Sequence, residues 1–369
     1  MNRILSTIMD LLNLRNAKKV TLLLLVFFGL YGCLPEKKTG EIRIQGQELG
    51  TSYSIIFFGD EAVDWESKVD SVFLVINQSM STYQEGSIIS RINRGENNVR
   101  VDGQFKEVFF LSQEVYERTG GYFDPTVGLL VDAWGFGPGE QQALDSVKVD
   151  SLLQFVGWDK VTLKSDRMVE KEKPEIRFDF NAIAKGYAID RLGLMLQNGG
   201  VDSYLVEVGG EVLASERKWA PQELDPESTD SLALDSPELR WKVGIDDPQS
   251  TGTRQLKKII YIKEQALASS GNYRKFRVDE ETGKRYVHTI NPLTGFTENG
   301  SVLATSVLAS SCAKADAFAT AFMAMPLEKS KALLAESNDL EGYIIYLDEE
   351  GEVTEFMTPG FAAAVLPKE

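Results

Sequence analysis

Asp316 is the sharpest chemical anomaly in the sequence. It sits in AKADAFATAFMAM, a stretch of helical character dominated by Ala, Phe and Met. A lone carboxylate buried there would cost several kcal/mol, so the group must be exposed, paired or metal-bound. Thr320 lies one helical turn further on the same face. A carboxylate and a hydroxyl so placed are hard oxygen ligands suited to Mg²⁺. An exposed Asp on an amphipathic helix, with the Thr bonding back to a carbonyl, fits these residues equally well. The second cluster is RFDFNAIAKGYAID. Here Asp179 faces one side of an expected strand, Asn181 can cap the helix that follows, and Lys185 projects from its first turn. The small residues Ala182, Ala184 and Gly186 would let a phosphate approach free backbone amides, with Lys185 as charge partner. An ordinary strand–cap–helix junction accounts for the same string. In GGYFDPTVGLLVDAWGFG, residues 120–137, Tyr122, Phe123, Trp134 and Phe136 crowd around glycines. That suits either a flat ring slotted against backbone or a packed corner. HTINPLTG (288–295) reads as a polar turn carrying the only histidine, His288, and ASSGNYR (268–274) as a small-residue loop.

The elements that must position these groups follow from periodicity and turn chemistry. A strand pair is expected from Glu41 to Ile44 and from Ser52 to Phe58, around a turn at Gly50. Helices are expected over Asp64–Ile76, over 104–119 with Gly120-Gly121 as the stop, over Ser311–Met325 and over Pro326–Ser337. Alternation in EIRFDF predicts a strand running straight into a helix from Ala182 to Gln197. Short strands in YLVEVGGEVLA, WKVGI and KIIYIKE suggest a meander, and GYIIYLDEEGEVTEFM a closing hairpin around Glu350-Gly351. Residues 216–240 are acidic, rich in Pro and Ser and without period, which reads as an inserted surface loop. Strands grouped with helices favour α+β over a doubly wound sheet.

Composition narrows the chemistry further. The chain has 369 residues, 43% hydrophobic and 25% charged, which excludes a wholly disordered or collagen-like chain. Its formal charge of −16 argues against binding nucleic acid or anionic lipid through bulk electrostatics. A single His excludes His-rich zinc sites and H-E-x-x-H chemistry, and two distant Cys exclude a zinc cluster or an Fe–S site. No G-x-x-x-x-G-K-[ST] or G-x-S-x-G occurs, and GFGPG lacks the last glycine of G-x-G-x-x-G. Catalysis must therefore come from carboxylates, hydroxyls, amides and a metal. At the N-terminus, Arg15, Lys18 and Lys19 precede the apolar run VTLLLLVFFGLY, which is too short to span a bilayer. It has the layout of a secretory signal. The segment ends in LYGC and resembles a bacterial lipobox, in which Cys33 is lipidated and becomes the mature N-terminus. The expected organisation is a signal over 1–32, a lipidated tether over 33–40 and one catalytic domain over 41–369. With Cys33 acylated, Cys312 would stand alone and no intramolecular disulfide could form.

Nine motifs occur in a fixed order: GTSYSI (50–55), MSTYQEGSIISRIN (80–93), GYFDPTVGLLVDAWGFG (121–137), NAIAKGYAID (181–190), VEVGGEV (206–212), WKVGIDDP (241–248), ASSGNYR, HTINPLTG and ADAFATAFMA (315–324). In this order they resemble the ApbE family of FAD:protein FMN transferases, over roughly residues 46–358. The resemblance implies an α+β fold of mainly antiparallel sheets flanked by helices. It implies Mg²⁺-dependent cleavage of FAD, transfer of the FMN half to a Thr or Ser hydroxyl of a target protein, and release of AMP. It further implies Asp316, Thr320 and the carbonyl of Ala182 as metal ligands. Flavin and adenine contacts are implied from Leu49, Tyr83, Tyr122, Phe123, Asp124, Asp179, Lys185 and Ile290. Tyr83 and Phe123 would stack on rings, and Asp124 or Asp179 would accept hydrogen bonds. His288 would contact phosphate or take the proton of the incoming hydroxyl, or else shape the turn. Implied acceptors are flavin-bearing subunits of membrane complexes such as the Na⁺-pumping NADH:quinone oxidoreductase or the Rnf complex, or secreted flavoproteins. Many relatives are periplasmic lipoproteins, so membrane attachment would be through the lipid anchor alone. One departure is Asn291, where many relatives carry Asp; an amide cannot act as a base. The same residues would also serve an FAD pyrophosphatase or a non-enzymatic flavin-binding lipoprotein.

Overall fold

The computed structural model describes residues 38–216, 240–250, 255–272, 276–278, 285–297 and 300–366. Cys33, the expected signal and all but the ends of the acidic segment 216–240 lie outside these residues. The chain divides into a small unit, residues 1–40 with 60–63, and a large one, residues 41–59 with 64–369. In the described part of the small unit, the Glu61 N–H donates to the Lys38 carbonyl at 2.9 Å.

The chain opens with strands β1 (Thr39–Glu48) and β2 (Thr51–Asp60), joined by Leu49 and Gly50 at φ 52° and 73°. Positive φ at both central residues is the hairpin geometry whose twist matches the strands. Helices α1 (Trp65–Met80), α2 (Ile88–Asn93), α3 (Gly103–Thr119), α4 (Gly128–Ala133) and α5 (Ser146–Leu153) follow. Asp64 caps α1 by accepting from the Ser67 N–H, and Gly120 ends α3 in the left-handed conformation. After the small pair β3 (Val161–Leu163) and β4 (Val169–Lys171) come α6 (Ala184–Asn198), β5 (Tyr204–Val208), β6 (Glu211–Ala214), β7 (Trp241–Asp246), β8 (Leu256–Ile262), β9 (Ala266–Gly271), β10 (Phe276–Val278), β11 (Arg285–Val287) and β12 (Val302–Ala309). Helices α7 (Cys312–Ala324) and α8 (Leu327–Glu336), strands β13 (Leu340–Leu347) and β14 (Val353–Met357), and helix α9 (Pro359–Ala364) complete the order.

Eight strands form one sheet in the order β1-β2-β5-β6-β9-β12-β13-β14. The pairings from β2 to β14 are antiparallel. The sheet is covered on both faces. Along β12, Val307 and Ala309 join the larger core with α3, α6 and α7, while Ala304 and Leu308 join a second core with β7, β8 and α9. Burial on both sides explains why β12 and β13 show no regular alternation of apolar and polar residues.

The α+β expectation matches this architecture, and the expected helices and closing hairpin are present with longer or slightly shifted ends. Three readings are corrected. EIRFDF makes no ladder: Arg177 forms a single bridge with Val127, and the Asn93 side chain pairs both backbone groups of Phe178 at 2.8 Å. Its alternation is real, but an asparagine and the 125–128 loop take the place of a partner strand. The meander is interrupted, since β7 and β8 form a sheet of their own and β6 pairs with β9. Residues 268–271 of ASSGNYR are not loop but the end of β9. Small side chains are needed there because α7 packs directly on that strand.

Candidate active site

Helix α7 is enclosed: all its residues except Lys314 and Thr320 are buried. Alanines at the contacts let main chains approach closely. Nearest is Gly186 in the first turn of α6, where an added Cβ would lie 2.4 Å from the Cys312 carbonyl oxygen. This contact brings the first turn of α6 against Asp316. Asp316, only 4% exposed, accepts from the Gly186 N–H at 3.1 Å and lies 3.2 Å from Lys185 Nζ. Of the three expected alternatives, exposed, paired or metal-bound, the structure shows the carboxylate buried and paired with these two groups.

Gly186 is the third residue of α6, so its N–H is one of the helix-start donors that no carbonyl of the helix can meet, and Asp316 takes it. Ala182 lies two residues before α6, in the turn that leads into it. Four residues beyond Asp316, Thr320 Oγ1 lies 3.3 Å from Ser270 Oγ on β9. The Asp316 carboxylate, the Thr320 hydroxyl and the backbone carbonyl of Ala182 are all hard oxygen donors, so the residues present fit a Mg²⁺-type cation in their chemistry. Among the described residues no group of three or more His, Cys, Asp or Glu could hold an ion unaided. The remaining ligands of such a cation would therefore come from phosphate oxygens and water.

Lys185 has a second carboxylate partner that the sequence reading passed over. Glu211, the first residue of β6 and 4% exposed, lies 2.7 Å from Lys185 Nζ. Burial opposes the charge on Lys185, but Asp316 and Glu211 outweigh it and raise the amine above its ordinary range. Burial pushes Asp316 up, Lys185 pulls it back, and Glu211 adds to the rise. The signal for Glu211 was an acid directly after Gly209-Gly210, opening an otherwise apolar strand. Asp190 was passed over in the same way. Its carboxylate accepts from the N–H groups of Cys312 at 2.7 Å and Ala313 at 2.9 Å, fastening the start of α7 to α6. Cys312 itself is buried with its thiol pushed well up, which excludes it as a nucleophile.

The ring-binding candidates divide by exposure. Tyr83 is 65% exposed, and burial with the nearby charges of Asp179 and Asp132 raises its phenol. Phe123 is 4% exposed within the main core, which leaves little ring surface for a ligand. The ring of Tyr122 packs against that core with Lys329 Nζ 5.2 Å from its centroid. Leu49 occupies the β1–β2 turn. Asp179 does not leave the helix start to Asn181: it accepts from the Asn181 N–H at 2.7 Å and from its amide at 3.1 Å, so Asn181 is held back rather than capping α6. Asp124 accepts from Thr126 and from the Trp158 N–H, and both oxygens are thereby engaged within the fold. Burial pushes Asp124 and Asp179 each up to about 6.

His288 is half-buried at the head of a braced turn. Its neighbour Thr289 donates to the Asn272 side chain at 3.3 Å, two residues beyond Ser270. This ties the histidine loop to the strand that touches Thr320. Asn291 accepts from the Leu293 N–H at 3.0 Å, and the Trp134 indole donates to the Gly295 carbonyl at 2.9 Å. Asn291 thus shapes the turn, a task its amide oxygen performs as a carboxylate would. Ile290 is buried against Leu130 and Trp134.

Comparison with known proteins places this geometry. Residues 49–344 match the model of the ApbE family. The FAD:protein FMN transferase of Haemophilus influenzae is 30% identical over 334 residues, covering 86% of this chain and 90% of its own. That of Vibrio cholerae is 31% identical over 332 residues, covering 87% and 92%. Among solved structures, the flavin transferase ApbE from Vibrio cholerae superposes with a TM-score of 0.74 at 27% identity, over 89% of this chain and all of its own. The ApbE protein of Thermotoga maritima shares the fold at TM-score 0.74 and 24% identity, over 89% and 100%.

Proposed function

The chain belongs to the ApbE family, and from that membership we infer its activity: it is an FAD:protein FMN transferase. It moves the FMN half of FAD onto a hydroxyl of a target protein and releases AMP. The observation that carries the site assignment is the meeting of Asp316, Lys185 and the Gly186 N–H where α6 and α7 touch.

The acceptor is a Thr or Ser of the target, so the enzyme needs no nucleophile of its own. Its work is positioning and charge neutralisation at phosphorus. Asp316, Thr320 and the Ala182 carbonyl would hold a Mg²⁺ ion. When bound, that ion neutralises charge on the pyrophosphate and on the departing AMP. Lys185, fixed between two carboxylates, offers its positive charge to phosphate oxygen. Tyr83 offers an exposed ring for stacking, and Leu49, Tyr122, Asp179 and Ile290 line the same ligand, with Phe123 and Asp124 shaping its wall. The incoming hydroxyl forms the new P–O bond as the bond to AMP breaks, and its proton passes to His288, the side-chain type suited to proton transfer near neutral pH.

The acceptors are flavin-bearing subunits of membrane electron-transfer complexes of the Na⁺-pumping NADH:quinone oxidoreductase or Rnf type, or secreted flavoproteins. The LYGC segment supports a lipid anchor at Cys33 and a catalytic domain on the periplasmic side. The test mixes the purified chain with FAD, Mg²⁺ and a Thr-bearing acceptor, and reads the intact mass of the acceptor. An FMN-sized gain, lost when that Thr is replaced, is expected. Release of AMP and free FMN without a gain would instead indicate pyrophosphatase activity. Intact FAD would indicate a binding protein.

A further inference from the structure

Resting on the metal reading above, we propose that Glu211 is a positioning residue: it is the standing counter-ion of Lys185, and by holding that ammonium it frees the Asp316 carboxylate for a divalent cation. The two partners of Lys185 differ in kind, Glu211 being the closer ion pair and Asp316 the hydrogen-bonded one. Nζ lies 2.7 Å from Glu211 Oε2, against 3.3 and 3.2 Å from the two oxygens of Asp316. The lysine stem is laid over the β5–β6 turn, where a Cβ on Gly209 would stand 3.3 Å from Lys185 Cδ. That turn leads directly into Glu211. Asp316 meanwhile has a separate, uncharged partner in the Gly186 N–H.

The charge count gives the arrangement its purpose. Two buried carboxylates and one ammonium whose side chain is only 24% exposed leave the trio with one net negative charge. With Glu211 absent, Lys185 and Asp316 would neutralise each other. A cation could then claim Asp316 only by leaving that largely enclosed ammonium without a carboxylate partner, which is unfavourable. With Glu211 present, the ammonium keeps its shorter contact while the longer one is given up. Glu211 acts through Lys185 and does not itself touch the ion.

The experiment titrates Mn²⁺ into the purified full chain in the absence of FAD and acceptor, so that Lys185 has no phosphate to meet, following free Mn²⁺ by electron paramagnetic resonance. Glu211→Gln is expected to weaken Mn²⁺ binding about 10- to 100-fold, the usual cost of removing a group that supports a metal ligand. Adding Lys185→Met to that variant deletes the stranded ammonium and is expected to restore binding to within about threefold of the unsubstituted chain. A merely structural role for Glu211 would not be repaired by a further change in the core. Unchanged binding in Glu211→Gln, or a double variant as weak as the single, would overturn the proposal. If the single variant does not fold, the double one decides: tight binding supports the proposal and a tenfold loss overturns it. Absence of binding by the unsubstituted chain would remove the metal reading itself, and this inference with it.

Discussion

Gly186→Ala tests whether contact between two helices sets the geometry of the site. By local propensity alone the substitution should stabilise, since Ala is favoured over Gly inside a helix by about 1 kcal/mol. The structure predicts the opposite sign. The new Cβ would stand 2.4 Å from the Cys312 carbonyl oxygen, 2.6 Å from its carbon and 2.7 Å from the Ala313 nitrogen. Comfortable contact needs about 3.5 Å, so α6 and α7 must part by roughly 1 Å. The opposing atoms are main chain of an enclosed helix and cannot swing aside. The cost of overpacking then lies near its usual upper value, about 3 kcal/mol, leaving a net destabilisation of about 2 kcal/mol. For a domain of this size that lowers the melting temperature by about 3 °C. The same displacement stretches the Gly186 N–H to Asp316 bond and the Lys185 to Asp316 pair, now 3.1 and 3.2 Å, beyond hydrogen-bonding range. Misplacement on that scale costs about 10²-fold in rate. Calorimetry and AMP release under saturating FAD and Mg²⁺ read the two effects. A variant that melts at or above the parent temperature with unchanged turnover would refute the reasoning.

Further expectations follow from single side chains. Asp316→Ala leaves Lys185 paired with Glu211, so the chain should fold while metal-dependent AMP release falls by about 10²–10³-fold or more; full activity would sink the metal assignment. Burial raises Asp190 to about 6 against the opposing N–H bonds of Ala313 and Cys312. The folded chain therefore holds a proton that the unfolded chain has released between about pH 4 and pH 6. The resulting stability is fully present below about pH 4 and is lost as pH rises through about 6. Melts of Asp190→Asn across that window should decline less steeply than those of the parent, and an identical slope would count against the assignment. Trp134→Phe removes the indole bond to the Gly295 carbonyl. It should cost about 1–2 kcal/mol in denaturant midpoint and raise KM through a loosened His288 turn; a variant with parental KM would deny that the turn depends on this brace.

How much of this was legible beforehand depended on whether the signal was local. Helix α3 with its Gly120 stop, the Leu49-Gly50 hairpin and the closing β13–β14 pair rest on short-range capping and turn chemistry, and each could be read directly. Asp316 with Thr320 could be read because a charge in an apolar helix demands an explanation. EIRFDF misled because alternation reports which face is buried, not what lies alongside. Strand β9 was hidden by its small residues, whose reason is the helix packed on it, and β12 had no alternation to show because both its faces are covered. Glu211 and Asp190 escaped for a related cause. Each is an ordinary acid in sequence and becomes significant only when the fold sets it beside Lys185 or beneath the start of α7.

Helix α7 emerges from the interior at two residues, Lys314 and Thr320. One reaches surface carboxylates, with Lys314 Nζ 2.9 Å from Glu114 and 3.0 Å from Asp339, and the other faces the site. An element gripped on every other side can neither roll nor slide without opening the whole interior. Its amides should rank among the slowest in the chain to exchange with deuterium, close to the limit set by global unfolding. During turnover the carboxylate and hydroxyl it carries behave as fixed stations. Whatever adjusts between substrate entry and product departure must then be the lighter, partly exposed segments around them: the Tyr83 turn and the His288 loop.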